Sequence, residues 1–174
     1  MNQEKTVVGL IDETSIQNKP NVKRVLTKNS RVTCETSYNP SHRFTCTGFL
    51  ATNGDLFSSN SPFSKKEDFK LYLENLRLKY DPDITLIAVL DNAKIHKAQI
   101  IIDYCSQNKI VLVYLPPYCP QLNPIEDLWR LLKKELANRA LKTLDYLYES
   151  TEKTLKSFGN LESLCSNWVK LFLA

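Results

Sequence analysis

Four prolines within nine residues, Pro116, Pro117, Pro120 and Pro124, constrain this chain more tightly than anything else in it. Each holds φ at about −65° and removes a backbone donor, so neither a strand nor a helix can run through the loop they form. The loop is welded to a helix start within the stretch 114–134, YLPPYCPQLNPIEDLWRLLKK. Asn123 stands at the N-cap position and Pro124 at the first helical one. Ile125, Leu128, Trp129 and Leu132 then repeat at i, i+3, i+4 and i+7, the spacing of one apolar helix face. Glu126 falls in the first turn. A carboxylate there has an ordinary use, because Asn-x-x-Glu resembles a capping box and the helix dipole favours negative charge at that end.

A second acid upstream gives Glu126 another reading. The apolar run Thr85–Leu90 ends on Asp91 within LIAVLDNAKIH, with 34 residues between the two acids (126 − 91 − 1 = 34). The pattern D-N-A-x-x-H, followed by L-P-P-Y-x-P-x-L-N-P-I-E-x-x-W, resembles the catalytic core of mariner-like and related insertion-sequence transposases of the DD34E type. These belong to a DDE superfamily with a ribonuclease-H-like fold. The likeness runs from about Thr6 to Lys134. It is long and specific in the two carboxyl-side motifs, and short at Asp12-Glu13-Thr14.

Composition is compatible with that class. At 174 residues and 43% apolar content, the chain is long enough for one domain with a sizeable core. The net charge of +4 is spread along the chain, which permits a basic groove but not a dense nucleic-acid-binding tail. Five cysteines without a CxxC pair argue for reduced thiols, and two histidines argue against a zinc site. No apolar run approaches the roughly 20 residues of a membrane span, and MNQEK is no signal peptide. A cytoplasmic protein is expected, nucleoid-associated in a prokaryote.

In chain order, Thr6–Ile11 reads as a central strand ending at Asp12 and Glu13, and the polar residues 14 to 31 as an exposed loop or hairpin. His42–Ala51 and Asp55–Ser59 read as strands joined by a tight Asn53-Gly54 turn. Ser64 with Glu67 predicts a capping box for a helix to about Lys79, with Phe69, Tyr72, Leu73 and Leu76 on its apolar stripe. Thr85–Leu90 predicts a strand buried on both faces. Ala98, Ile101, Ile102 and Cys105 mark a helix, and Ile110–Leu115 another buried strand, so parallel crossovers deliver the chain to the proline loop. Two amphipathic stretches follow the Glu126 helix. One carries Leu144, Leu147, Tyr148, Thr151, Leu155 and Phe158; the other carries Leu161, Leu164, Cys165, Trp168 and Phe172. The expected fold is α/β, a ribonuclease-H-like mixed sheet flanked by helices.

What the resemblance implies for function is specific. Asp12, Asp91 and Glu126 would be the catalytic metal ligands; the family pattern makes Asp12 the first acid and leaves Glu13 as a structural neighbour, which strand alternation would point the opposite way. An all-oxygen set suits Mg²⁺ or Mn²⁺, and two such ions about 3.5 to 4 Å apart would serve in-line phosphodiester displacement. Asn92, Lys94, His96 and Asn123 are candidates for contact with DNA or for bracing the site. His96 has the alternative of capping or packing, and Trp129 reads mainly as core. Double-stranded DNA, as transposon ends and target, would be the partner, with a second copy or another transposase chain completing the synaptic complex. Relatives carry helix-turn-helix modules on the amino side, and this chain begins almost at the first catalytic strand. Residues 1–174 are therefore expected to be a single catalytic domain without that module. A non-catalytic remnant that regulates by binding DNA or dimerising, and a stand-alone ribonuclease-H-like nuclease, are the other functional readings.

Overall fold

A twelve-residue strand, β1 (Thr6–Gln17), lies at the centre of a five-stranded sheet and decides how the remaining elements are placed. The structure, a computed structural model, describes residues 5–18, 42–117, 119, 122–137 and 143–172. On one side β1 pairs antiparallel with β2 (Arg43–Ala51), which pairs antiparallel with β3 (Leu56–Ser61). On the other side it pairs parallel with β4 (Thr85–Leu90), and β4 pairs parallel with β5 (Ile110–Tyr114). The order is β3-β2-β1-β4-β5, a mixed sheet.

The β2–β3 hairpin turns at Gly54, whose φ of 90° suits a residue without a side chain, and a Cβ there would lie 2.4 Å from the Glu162 nitrogen. Helices α1 (Lys66–Leu78) and α2 (Gln99–Gln107) make the crossovers into the parallel strands. They pack on one face of the sheet, where Ile11, Phe49, Leu86, Ala88 and Leu90 meet Phe69, Leu73, Leu76 and Ile101. Helices α3 (Ile125–Leu136), α4 (Leu144–Ser157) and α5 (Glu162–Phe172) cover the other face, with Leu10, Phe44, Leu50 and Val89 against Trp129, Leu132, Leu147 and Trp168. Leu10 and Ile11 thus belong to different cores, as strand alternation requires.

Several elements depart from the sequence expectation. β1 does not stop at Asp12 and Glu13 but continues to Gln17, because its ladder with β2 persists to the pair Gln17↔Arg43. Residues 14 to 17 are therefore strand rather than loop, and 19 to 31 lie outside the described residues. The first residue before α1 is Lys65, whose N–H donates to Asp68 Oδ2 at 3.2 Å, so Asp68 and not Glu67 answers the helix start. β5 is an edge strand with Val111 and Val113 exposed, not a strand buried on both faces. Ile102 and Phe172 are exposed as well. The stripe Phe69, Tyr72, Leu73, Leu76 is buried as expected. The four described cysteines are free thiols, and no helix among the described residues is long and apolar enough to cross a membrane.

Candidate active site

The first acid owes its position to a difference in strand length. The last parallel pair between β1 and β4 is Leu10↔Val89. Two residues further along both strands, Asp12 and Asp91 come level just as β4 ends at Leu90 while β1 runs on. Asp12 shares the face of Leu10, under α3. There its Oδ2 accepts a 2.9 Å hydrogen bond from Trp129 Nε1–H. The indole can lie this close because Asp12 pairs with Gly48, where a Cβ would come within 2.7 Å of the Trp129 ring. Burial, then the neighbouring charges of Glu126 and Glu13, push the Asp12 carboxyl up from 3.8 to about 7, outweighing the hydrogen bonds that favour its ionised form. Trp129 is thus both core, as read from the sequence, and a partner of Asp12. No local pattern could have paired residues 117 positions apart.

Asp91 opens the turn after β4. Its Oδ1 accepts from Ala93 N–H at 2.9 Å and lies 2.9 Å from His96 Nδ1. His96 is fully buried, and its Nε2 lies 3.0 Å from Glu13 Oε1. This position leaves His96 no exposed surface and sets a carboxylate oxygen beside each of its ring nitrogens. Burial lowers its pKa, but the contacts with Glu13 and Asp91 outweigh that and raise it above 6.5. Asn92 is tied into the same turn: its Nδ2–H donates to the Leu115 carbonyl, and its Oδ1 accepts from Lys97 Nζ at 2.6 Å. Lys94 is exposed on the same turn. The sequence reading took Glu13 only as a structural neighbour of Asp12. Strand alternation was the signal that sent it to the opposite face, but nothing local marked His96 as its partner.

The proline loop brings in the third acid. Pro124, not Asn123, is the residue that precedes α3, and Asn123 makes no side-chain cap. The Asn123 side chain is instead buried against β1. Its Nδ2–H donates to the Ile11 carbonyl at 3.4 Å, and its Oδ1 has no hydrogen-bond partner. The neighbouring Glu126, in the first turn of α3, is exposed. Asp12, Asp91, Asn92, Cys119, Asn123 and Glu126 all line one cavity of about 410 Å³.

The structure therefore brings the three predicted acids to one place. Among the described residues, no three His, Cys, Asp or Glu side chains already stand at a spacing that would hold a metal ion. The donor chemistry nevertheless fits a hard divalent cation. All three acids offer oxygen, and a cation would offset both the burial that first raises the Asp12 carboxyl and the neighbouring charges of Glu126 and Glu13 that add to it.

With this geometry in view, the comparisons define the class. Residues 7–148 match the family described as DDE superfamily endonuclease, and the chain belongs to that family. Its mixed five-strand sheet with flanking helices is the ribonuclease-H-like fold of transposase and integrase catalytic cores. The chain is similar to Mos1 transposase in its strand transfer complex, with a TM-score of 0.68 and 18% identity over 96% of this chain and 51% of that one. A Mos1 mariner paired-end complex with Mn gives 0.69 and 18%, over 94% and 52%. The catalytic core domain of BIV integrase gives 0.56 and 19%, over 86% and 81%. An uncharacterized protein of Sinorhizobium fredii, y4pE/y4sA, is 28% identical over 88 residues, 48% of this chain and 61% of the relative. The chain spans about half the length of the Mos1 chains it matches.

Proposed function

We propose that this chain is a transposase catalytic domain that cuts the ends of a mobile DNA element and joins them to target DNA, with Asp12, Asp91 and Glu126 as its metal ligands. The observation that carries the reading is the convergence of those acids on one cavity, from three separate elements. Mos1 has been solved as paired-end complexes with Mn and with Mg. By that analogy, Mg²⁺ or Mn²⁺, as two ions, DNA ends, and a second transposase chain are the cofactors and partners proposed here. When bound, such ions supply Lewis acidity toward the attacking and departing oxygens of an in-line phosphodiester displacement.

The chain's own residues supply position. Trp129 Nε1–H holds one oxygen of Asp12, while Ala93 N–H and His96 hold one oxygen of Asp91. The Asp12 carboxylate also accepts from the Glu13 backbone N–H, and the second oxygen of Asp91 remains to serve a cation. Glu126 is exposed, so rotation about its own side-chain torsions is the low-cost way to close the set. Lys94, exposed on the Asp91 turn, is the cation we assign to contact with a phosphate. Asn92 holds that turn to the start of the proline loop.

The test is nicking of supercoiled plasmid with Mn²⁺ or Mg²⁺. Asp91→Asn keeps the shape of the side chain and removes its ligand charge. The native chain should nick slowly, and the variant at least about 100-fold more slowly, as expected when a metal site loses one of its few charged ligands. Equal nicking by Asp91→Asn would place the activity elsewhere.

A further inference from the structure

Alternation along β1 sends Glu13 to the face opposite Asp12, yet Glu13 is not isolated from the acids of the cavity. Its Oε1 lies 3.0 Å from His96 Nε2, and the other nitrogen of the same ring lies 2.9 Å from Asp91 Oδ1. The ring is gripped on every side. It packs on Phe69 with ring centroids 4.5 Å apart, and its backbone carbonyl accepts from Tyr114 Oη at 3.0 Å. Asp91 by contrast is an open side chain, 56% exposed. A half-exposed carboxylate on a turn would sample several rotamers unless something fixed it.

We propose that Glu13 and His96 form a brace across the sheet that fixes the orientation of the Asp91 carboxylate for cation binding. Both are positioning residues, since neither lines the cavity that the three acids share. The inference rests on the metal-binding reading above. His96 Nδ1–H and Ala93 N–H together occupy Oδ1, which leaves Oδ2 for the cavity that Asp91 lines. Glu13 is needed because an imidazole anchored at one nitrogen can still rotate, whereas Glu13 Oε1, accepting from Nε2–H, pins the far end of the ring so that Nδ1–H keeps pointing at Asp91; two carboxylates can only accept, so each ring nitrogen carries a hydrogen. The brace also explains why a fully buried histidine is placed between two acids. Each ring nitrogen has a partner, so no buried polar atom is orphaned.

Mn²⁺ binding to the full chain, read by titration calorimetry or by loss of the free-ion electron paramagnetic resonance signal, tests this without reference to catalysis. Thermal midpoints certify the fold of each variant. Glu13→Ala should weaken Mn²⁺ binding about tenfold, the lower end of what loss of an outer partner costs a metal site. Glu13→Gln keeps an acceptor for the ring and should stay within about threefold of native. His96→Asn places an amide N–H where Nδ1–H was and should bind better than His96→Ala. His96 is buried and its truncation can unfold the chain, so the Glu13 pair decides. If folded Glu13→Ala binds as tightly as native while Asp91→Asn is weakened, the brace is wrong and the metal reading stands. If Asp91→Asn also binds as tightly as native, the metal reading falls and the brace falls with it.

Discussion

Asp12 is where the cost of this site is concentrated in a single side chain. Its carboxyl is pushed up from 3.8 to about 7, first by burial and then by Glu126 and Glu13. Between those two values the folded chain holds a proton that the unfolded chain has released. The group's contribution to stability is therefore fully present below about pH 4 and is lost as pH rises toward 7. At pH 8 without divalent cations, native Asp12 is an ionised carboxylate in a place that disfavours one. Asp12→Asn removes that charge and keeps an oxygen for Trp129. We expect it to stabilise the metal-free protein at pH 8 by about 1 to 3 kcal/mol, at about 1.4 kcal/mol per pKa unit reduced for partial solvent access. In a domain this size that is a rise of about 2 to 12 °C in the thermal midpoint. The gain should vanish near pH 4. His96, also raised, contributes stability below about pH 6.5 that is lost as pH climbs through its folded value, but it is common to both chains and cancels in the difference. Equal midpoints for the two proteins at pH 8, in the presence of a chelator, would show that Asp12 is not strained.

Among the elements, α3 and β2 act on the site together. Gly48 of β2 leaves the space that the Trp129 indole fills, and the indole in turn reaches Asp12. Trp129→Phe keeps a buried aromatic ring but removes Nε1–H together with the second ring of the indole. It should slow Mn²⁺-dependent nicking about tenfold or more, as loss of an outer hydrogen-bond partner does at metal sites. The accompanying destabilisation should be small, about 1 to 2 kcal/mol, against the 3 to 5 expected if the whole ring were removed. Native nicking rates in Trp129→Phe would reduce the indole to core packing. The same elements show what a sequence can reveal. β4 and the apolar stripe of α1 were legible because their patterns are local: a continuous apolar run and a 3.6-residue repeat. β1 was read too short because Thr14 to Gln17 are held by pairing with β2, a partner about 30 residues away that leaves no trace in local hydropathy. β5 was read as buried because Ile110–Tyr114 is apolar throughout, while sheet order, which puts it at an edge, is a property of the whole fold. Asp91 and Glu126 stood out in dense motifs. The Trp129–Asp12 and His96–Glu13 contacts did not, since each joins distant segments through a single side chain.

On the scale of the whole molecule, the question is how a chain with a net charge of only +4 would hold a DNA duplex. The acids crowd the cavity, so attraction to phosphate has to come from cations around it. Lys94 and Lys97 are exposed on the Asp91 turn, and Arg130, paired with Asp127, lies one helical turn beyond Glu126 on α3. Contacts of this kind position a duplex without reading its bases. They also release counterions, so affinity should fall with salt as a power of about 0.9 per phosphate contacted. Three such contacts predict a fall of about 40-fold between 50 and 200 mM salt. Titrating two unrelated duplexes of equal length across that range would measure both properties at once. We expect affinities within about threefold of each other at every salt concentration, and parallel slopes, because the phosphate term is blind to sequence. Substituting Lys94 by Ala should lower the slope by about one contact for both duplexes alike. Affinity indifferent to salt would mean that something other than these cations holds the DNA. A large preference for one duplex would mean that the chain reads bases, through residues not among those argued here.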